Sequence, residues 1–395
     1  MPTVCFCNGN IPWGGGETWH LNAAISLAAR GWRTFMLCHP GGELYRRALL
    51  HPEIECYPIQ IGRLAFLNPF LLSRLKRFFI AQRPDALIMN LPSDLKAAGL
   101  MARAAGVRHV IYRRGSALPV RDTALNRRLY GDVITRLIVN SGATKAQVLK
   151  NNPNLIPEER ISILPNGFDL PKLDSALEHA SPLPLFRGRF VIGNAGRLNR
   201  QKGQHLLLHL AHRLVASGLD AAVLIAGTGE REQELKNLAE KLNLGDRVAF
   251  CGFMEDLAPF WRSIDLFVLS SLWEGFGNVV IEAMLARKPV FAFAVSNIPE
   301  LIDSGPNGNG RLFPLPPEEF PHCPDYTDSP ATSGTEHAYT EQSGPEKHPL
   351  DLMAAAIVEL AANPKQAKRM GEAGRRFSEG FSQEVCMDRL EEMLN

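Results

Sequence analysis

No run in this 395-residue sequence approaches the roughly 20 apolar residues that a membrane-spanning helix needs. The opening residues 1–16 have neither a charged n-region nor a cleavage site, so they do not read as a signal peptide. Cysteine is scarce and odd in number: Cys5, Cys7, Cys38, Cys56, Cys251, Cys323 and Cys386. Cys5 and Cys7 lie two apart on an expected strand, and no second Cys/His pair has zinc spacing. His322-Cys323 also lacks a partner pair, so no metal site is read there. Reduced thiols in a cytoplasmic protein are expected. The one dinucleotide-like hint, Gly227-Thr228-Gly229, lacks a third glycine at the right spacing and a fitting acid downstream. It reads as a loop wall. A strong net charge is missing too, at +2 overall, and no nucleic-acid partner is expected.

That near-neutral balance conceals an asymmetry. Residues 1–175 hold 22 Lys and Arg against 12 Asp and Glu, an excess of ten, whereas the remainder holds 21 against 29. A basic first half suggests an anionic partner there. Within it, residues 64–80 combine large apolar side chains with Arg74, Lys76 and Arg77, and Pro69 falls at a helix start. An amphipathic helix packed on a core accounts for this stretch, and so does a face lying on an anionic membrane surface.

The length suits two domains with full cores. Apolar runs and helical patterns alternate from Thr3 onward, and the alternation restarts at Phe190, so two α/β domains with parallel sheets are expected. Residues 170–188, rich in Pro, Leu and Ala without clear period, read as the linker. Residues 314–348 are rich in Pro, Ser, Thr and Glu and poor in aliphatics, the composition of a flexible excursion.

Three stretches carry candidate chemistry. Residues 264–289 read as a buried strand, a Gly-rich turn (Glu274-Gly275-Phe276-Gly277-Asn278) and a helix ended by Lys288-Pro289. A helix N-terminus there, offering the N–H groups of Asn278, Val279 and Val280, attracts phosphate. Glu274 and Glu282 flank it, and carboxylates beside a phosphate suit sugar hydroxyls: one would face a transferred sugar and the other a ribose. On this stretch alone it is equally open that Glu282 complements the helix dipole and Glu274 is solvated. The second stretch places Arg197 and Lys202 five residues apart between a strand end and a helix, which suits a planar fork and a point charge converging on a diphosphate, or simply a solvated basic loop. The third is Gly14-Gly15-Gly16-Glu17 after the first strand, where glycines let backbone approach a ligand or simply make a sharp turn.

The E-x7-E spacing of Glu274 and Glu282, the Gly14-Gly15-x-Glu17 loop, Pro165-Asn166-Gly167-Phe168-Asp169, and the placing of Arg197 and Lys202 together resemble the retaining, GT-B-fold glycosyltransferases of family 4. The resemblance spans nearly the whole chain except residues 314–348, where the family has a shorter connection. It implies two Rossmann-like domains facing across a deep cleft. Residues 1–175, completed by the last helix at 383–395, would bind the acceptor, and 189–378 the nucleotide-sugar.

By that resemblance Arg197, Lys202 and Glu274 are catalytic. Gly15, Gly16, Gly252, Phe253, Gly277, Asn278, Val279 and Glu282 join them in donor binding, with Gly252 and Phe253 at the base. Glu17 lies on the acceptor side. One departure stands out. Many members carry a His after the strand at 110–112, where this chain has Arg113-Arg114-Gly115. Arg113 or Arg114 then contacts an anionic acceptor or donor.

The implied reaction is retaining transfer from a UDP-sugar to a saccharide, lipid-linked or of lipopolysaccharide type, at the inner face of the cytoplasmic membrane. The donor is a co-substrate, and no cofactor is expected. With no DxD-like motif, neither is an obligatory metal. A nucleotide-sugar epimerase or hydrolase on the same fold, or a non-catalytic nucleotide-sugar binding protein, are the competing readings.

Overall fold

The computed structural model describes residues 1–322 and 347–395. They form two compact units, Met1–Gly167 with Gln383–Asn395, and Phe168–Ser382.

The first unit is built on seven parallel strands: β1 (Thr3–Asn8), β2 (Arg33–Cys38), β3 (Ile54–Pro58), β4 (Ala86–Met89), β5 (His109–Arg114), β6 (Arg136–Val139) and β7 (Ile161–Ile163). Their order is β3-β2-β1-β4-β5-β6-β7. Helices cover both faces, which is why the central strands are continuous apolar runs rather than alternating ones. On β1, Cys5 and Cys7 point into one layer with Phe35 and Leu87, and Val4 and Phe6 into the other with Trp19 and Leu390. The two cysteines are therefore core residues, and burial pushes their thiols well above the usual range. The six described cysteines are all free.

The last helix, Gln383–Leu394, closes this unit. Cys386, Met387, Leu390 and Leu394 are buried in the layer that holds Val4 and Phe6. Arg30 meets Asp388 at 2.7 Å and Glu391 at 3.0 Å, and the Trp32 indole donates to Glu391 at 2.8 Å.

The second unit has six parallel strands: β8 (Phe190–Ala195), β9 (Ala221–Ala226), β10 (Val248–Phe250), β11 (Leu266–Leu269), β12 (Val290–Phe293) and β13 (Gly310–Phe313). The order is β10-β9-β8-β11-β12-β13. In both units the strand order reverses beside the first strand, between β1 and β4 and between β8 and β11. Open α/β sheets bind ligands outside the strands' carboxyl ends at such a reversal.

Two sequence expectations change here. Residues 170–188 are not a bare linker. Asp169 caps a helix over Leu170–His179, whose Leu170, Leu173 and Leu177 pack against the second core, and Arg375 grips its Asp174 at 2.7 and 2.8 Å. The apolar side chains that gave no clear period in a Pro-rich stretch are used on one helix face. Of the excursion at 314–348, residues 323–346 lie outside the described residues, but its start is built into the fold. Leu315 is buried, and Pro317–His322 forms a 3-10 helix.

Candidate active site

In the second unit the reversal between β8 and β11 brings two loops together. Residues 196–203 leave β8, make a 3-10 turn over Arg200–Lys202, and enter the helix Gln204–Ala216. Asn199 caps that turn by accepting from the Lys202 N–H at 3.2 Å. Residues 270–277 leave β11 and enter the helix Asn278–Leu285. The Ser270 hydroxyl donates to the Lys202 carbonyl at 2.9 Å and locks the loops together. They are so close that a Cβ on Gly203, at φ +61°, would lie 2.0 Å from the Ser270 carbonyl oxygen. Only glycine fits there.

Across this junction Lys202 Nζ donates to both oxygens of Glu274, at 2.7 and 2.9 Å. Ser271 Oγ donates to Glu274 Oε1 at 2.6 Å, and the Glu274 N–H donates to Ser296 Oγ at 3.0 Å. Glu274 is only 5% exposed, so the pair is held in a low-dielectric setting with its geometry fixed in advance. Arg197 is exposed beside it, and its guanidinium makes no ion pair among the described residues. A bidentate donor is thus available in the same loop as a fixed cation.

The helix Asn278–Leu285 starts from Gly277, left-handed at φ +80°. One expectation fails here. The Val280 N–H already donates to the Gly277 carbonyl at 2.8 Å, so the tight first turn consumes a group thought open to a ligand. Val279 and Glu282 are half-buried. The Glu282 carboxyl has no hydrogen-bond or ion-pair partner among the described residues, and burial pushes it up to about 7. Gly252, at φ +69°, accepts from the Gly227 N–H at 2.7 Å. The next residue, Phe253, is 77% exposed.

In the first unit the reversal between β1 and β4 is equally tight. The helix Gly15–Ala29 begins after Gly14, and a Cβ on Gly16 would lie 2.3 Å from Asn90 Nδ2. Glu17 is buried and accepts from Asn8 at 3.1 Å and Asn10 at 3.0 Å. Its carboxylate is therefore taken up in shaping the loop. Arg113 and Arg114 part company. Arg113 is 2% exposed, stacks on Trp19 at 4.3 Å, and donates to Asn166 at 2.5 Å and Asn90 at 3.5 Å. Desolvation lowers its guanidinium to about 9. Arg114, the last residue of β5, donates to the Leu118 carbonyl at 2.6 Å and Tyr130 at 3.3 Å. Their different surroundings follow from strand alternation, which sends neighbouring side chains to opposite faces. His20, fully buried and flanked by Arg113, is held neutral, its imidazole lowered to about 3 by burial. Asp94, also fully buried, accepts from the Gly9 and Leu91 N–H groups, and burial raises it to about 8.

Sequence comparison matches residues 13–172 to glycosyltransferase family 4 and residues 178–320 to glycosyl transferases group 1. Both matched models describe glycosyltransferases, and together they cover most of the chain. It is 32% identical over 186 residues to the lipopolysaccharide core biosynthesis mannosyltransferase LpsB of Rhizobium meliloti, a match covering 45% of this chain and 50% of that protein. It is 34% identical over 160 residues to the UDP-Gal:alpha-D-GlcNAc-diphosphoundecaprenol alpha-1,3-galactosyltransferase of Escherichia coli, covering 39% of this chain and 38% of that one. The chain thus spans half or less of the length of these curated relatives. Among solved structures, Anabaena HepE in complex with UDP aligns with TM-score 0.76 at 20% identity, covering 100% of this chain and 99% of that one. The lipopolysaccharide outer core galactosyltransferase WaaB aligns with TM-score 0.70 at 16% identity, covering 99% and 98%. The shared fold is GT-B.

The structure brings Arg197, Lys202 and Glu274 to one loop junction, with Glu282 on the helix that follows it. It places Gly15, Gly16, Glu17 and Arg113 at the corresponding edge of the other unit. Sequence reasoning missed Ser271 and Ser296, which orient Glu274, and Asn90, Asn166 and Trp19, which surround Arg113. Single Ser and Asn residues after strand ends carry no pattern of their own. Among the described residues no three His, Cys, Asp or Glu side chains cluster as metal ligands, and no helix is long and apolar enough to cross a membrane.

Proposed function

We propose that this chain is a retaining glycosyltransferase that moves a sugar from a UDP-sugar to a saccharide acceptor, lipid-linked or of lipopolysaccharide type. The observation that carries the reading is Lys202 held on the buried Glu274 at the β8/β11 reversal, with Arg197, which makes no ion pair among the described residues, in the same loop. The names of the relatives support the substrate classes: one acts from UDP-Gal on a diphosphoundecaprenol-linked sugar, another in lipopolysaccharide core synthesis.

In this reading the sugar–phosphate bond loosens and negative charge grows on the departing UDP. Arg197 and Lys202 meet that charge most strongly as it develops, which lowers the barrier rather than merely tightening binding. These cations supply the electrostatic stabilisation without an obligatory metal. Glu274 accepts from hydroxyls of the transferred sugar, Glu282 from the ribose, and Phe253 stacks on the base. The leaving phosphate takes the acceptor hydroxyl's proton as the new bond forms on the face the phosphate leaves. Incubation with a panel of UDP-sugars and lipid-linked acceptors, followed by NMR of the product's anomeric proton, tests this. An acceptor glycoside with the donor's anomeric configuration is expected. An inverted product contradicts retention, and an epimerised sugar formed without acceptor favours the epimerase reading.

The acceptor's setting is proposed from the helix Pro69–Gln82, which Asn68 caps at 3.1 and 3.2 Å. Only Leu75 and Phe79 of this helix are buried. Leu64, Leu67 and Ile80 are exposed, Phe70 is 86% exposed, and Arg74, Lys76 and Arg77 lie on the same helix. The protein is proposed to work as a peripheral protein on the inner face of the cytoplasmic membrane. Each basic residue near an anionic surface contributes about 1 kcal/mol. Sedimentation with phosphatidylglycerol vesicles should fall as salt rises and fall further when Arg74, Lys76 and Arg77 become Glu. Protein that stays in the supernatant at low salt rules this docking out.

A further inference from the structure

The helix Pro317–His322, at the start of residues 314–348, sends one side chain to the loop that carries Lys202. Glu319 is buried at 5% exposure, unusual for a carboxylate outside a site. Its Oε2 meets Arg200 Nη2 at 2.7 Å, and its Oε1 meets His205 Nε2 at 2.8 Å. These partners bracket Lys202, one in the 3-10 turn Arg200–Lys202 and the other in the first turn of Gln204–Ala216. His205 Nδ1 lies 3.5 Å from Arg231 Nη1. Since a guanidinium only donates, Nδ1 accepts and the proton sits on Nε2, where it is given to Glu319. Desolvation lowers the His205 imidazole, in keeping with this neutral form. The Arg231 N–H in turn donates to the Leu198 carbonyl at 3.1 Å, so the loop is held from a second side.

We propose that Glu319 is a positioning residue for donor binding, fixing the Arg200–Lys202 turn through Arg200 and His205 so that Lys202 is presented to the donor diphosphate. This rests on the functional reading above. The 270–274 loop holds the turn through Gln201 and Ser270, and Glu319 holds it through Arg200 and His205. Glu319 reaches it from 114 and 119 residues further along the chain, and a buried carboxylate keeps its partners in place because separating them leaves an uncompensated charge. The neighbouring Glu318 meets His348 at 3.0 Å, which joins the two described ends of the stretch where Glu319 needs its anchor.

Calorimetry with UDP and steady-state kinetics on the full chain test this. Glu319→Ala should weaken UDP binding about tenfold, the scale of a charge-assisted hydrogen bond. It should raise KM for the UDP-sugar and leave KM for the acceptor unchanged. Arg200→Ala should act in the same direction, and the double variant should lose no more than the worse single one. If Glu319→Ala does not fold, Glu319→Gln, which keeps the shape and loses the charge, decides by the same readouts. Wild-type UDP affinity in a folded variant overturns the proposal, as does an equal shift in both KM values. A wild-type chain that binds no UDP overturns the functional reading itself, and with it this proposal.

Discussion

Replacing Lys202 with alanine is expected to lower transfer by about 10²–10³-fold, the cost of removing one preorganised donor from a developing oxyanion. The reason lies in how little freedom the side chain has. Its backbone is fixed by Asn199 and Ser270, its neighbour Gly203 admits no side chain, and its ammonium is held by both oxygens of Glu274. Alanine at 202 also leaves Glu274 buried with one hydroxyl donor, Ser271. Stability should therefore fall as well, by about 1–3 kcal/mol, since Lys202 itself is partly exposed. The double variant Lys202→Ala/Glu274→Ala separates the two effects. Removing both partners relieves the stranded charge, so stability returns toward wild type while turnover stays low. Turnover that recovers along with stability would show the pair to be structural only.

Glu282→Gln should move stability and binding in opposite directions. The carboxyl is raised from 4.5 to about 7 by burial, with no partner among the described residues. Near pH 4.5 the folded state holds the proton, and the glutamine mimics that neutral form. Between pH 4.5 and 7 the folded state binds more protons than the unfolded one, so wild-type stability falls as pH rises through this window. Above pH 7 the native protein carries a half-buried, unpaired charge that the variant lacks. At pH 8 the variant should be more stable by about 1–3 kcal/mol, discounted for partial exposure, and near pH 4.5 the difference should vanish. Its UDP affinity at pH 8 should drop about tenfold if the carboxylate accepts from the ribose. Urea unfolding at both pH values with UDP titration at pH 8 measures this. Equal stability at pH 8 would mean that the carboxylate is not desolvated.

Much of this architecture is legible in the chain itself. Buried strands such as Ala86–Met89 and Val290–Phe293 announce themselves as short apolar runs, because a sheet covered on both faces leaves no polar side to alternate. Glu274, Lys202 and Arg197 are legible because glycines and strand ends mark the loops that carry them. What is not legible is pairing across sequence distance. Nothing near Lys202 says that its ammonium meets Glu274, 72 residues away, or that Arg200 meets Glu319. Arg113 and Arg114 look interchangeable in sequence, and only strand alternation assigns one to a buried stack on Trp19 and the other to the Leu118 carbonyl and Tyr130. The helix Leu170–His179 does carry its own pattern, Leu170, Leu173 and Leu177 at helical spacing, but Pro171, Pro182 and Pro184 around it make the stretch read as a linker.

The central claim is that the β8/β11 junction holds a nucleoside diphosphate. Calorimetric titration of UDP and UMP into the intact wild-type chain tests it most directly. The β-phosphate is the group that Lys202 and Arg197 are placed to meet, so UDP should bind at least about tenfold more tightly than UMP. In Lys202→Ala the two affinities should converge. UDP binding no tighter than UMP in the wild type, or no binding of either, would contradict the account.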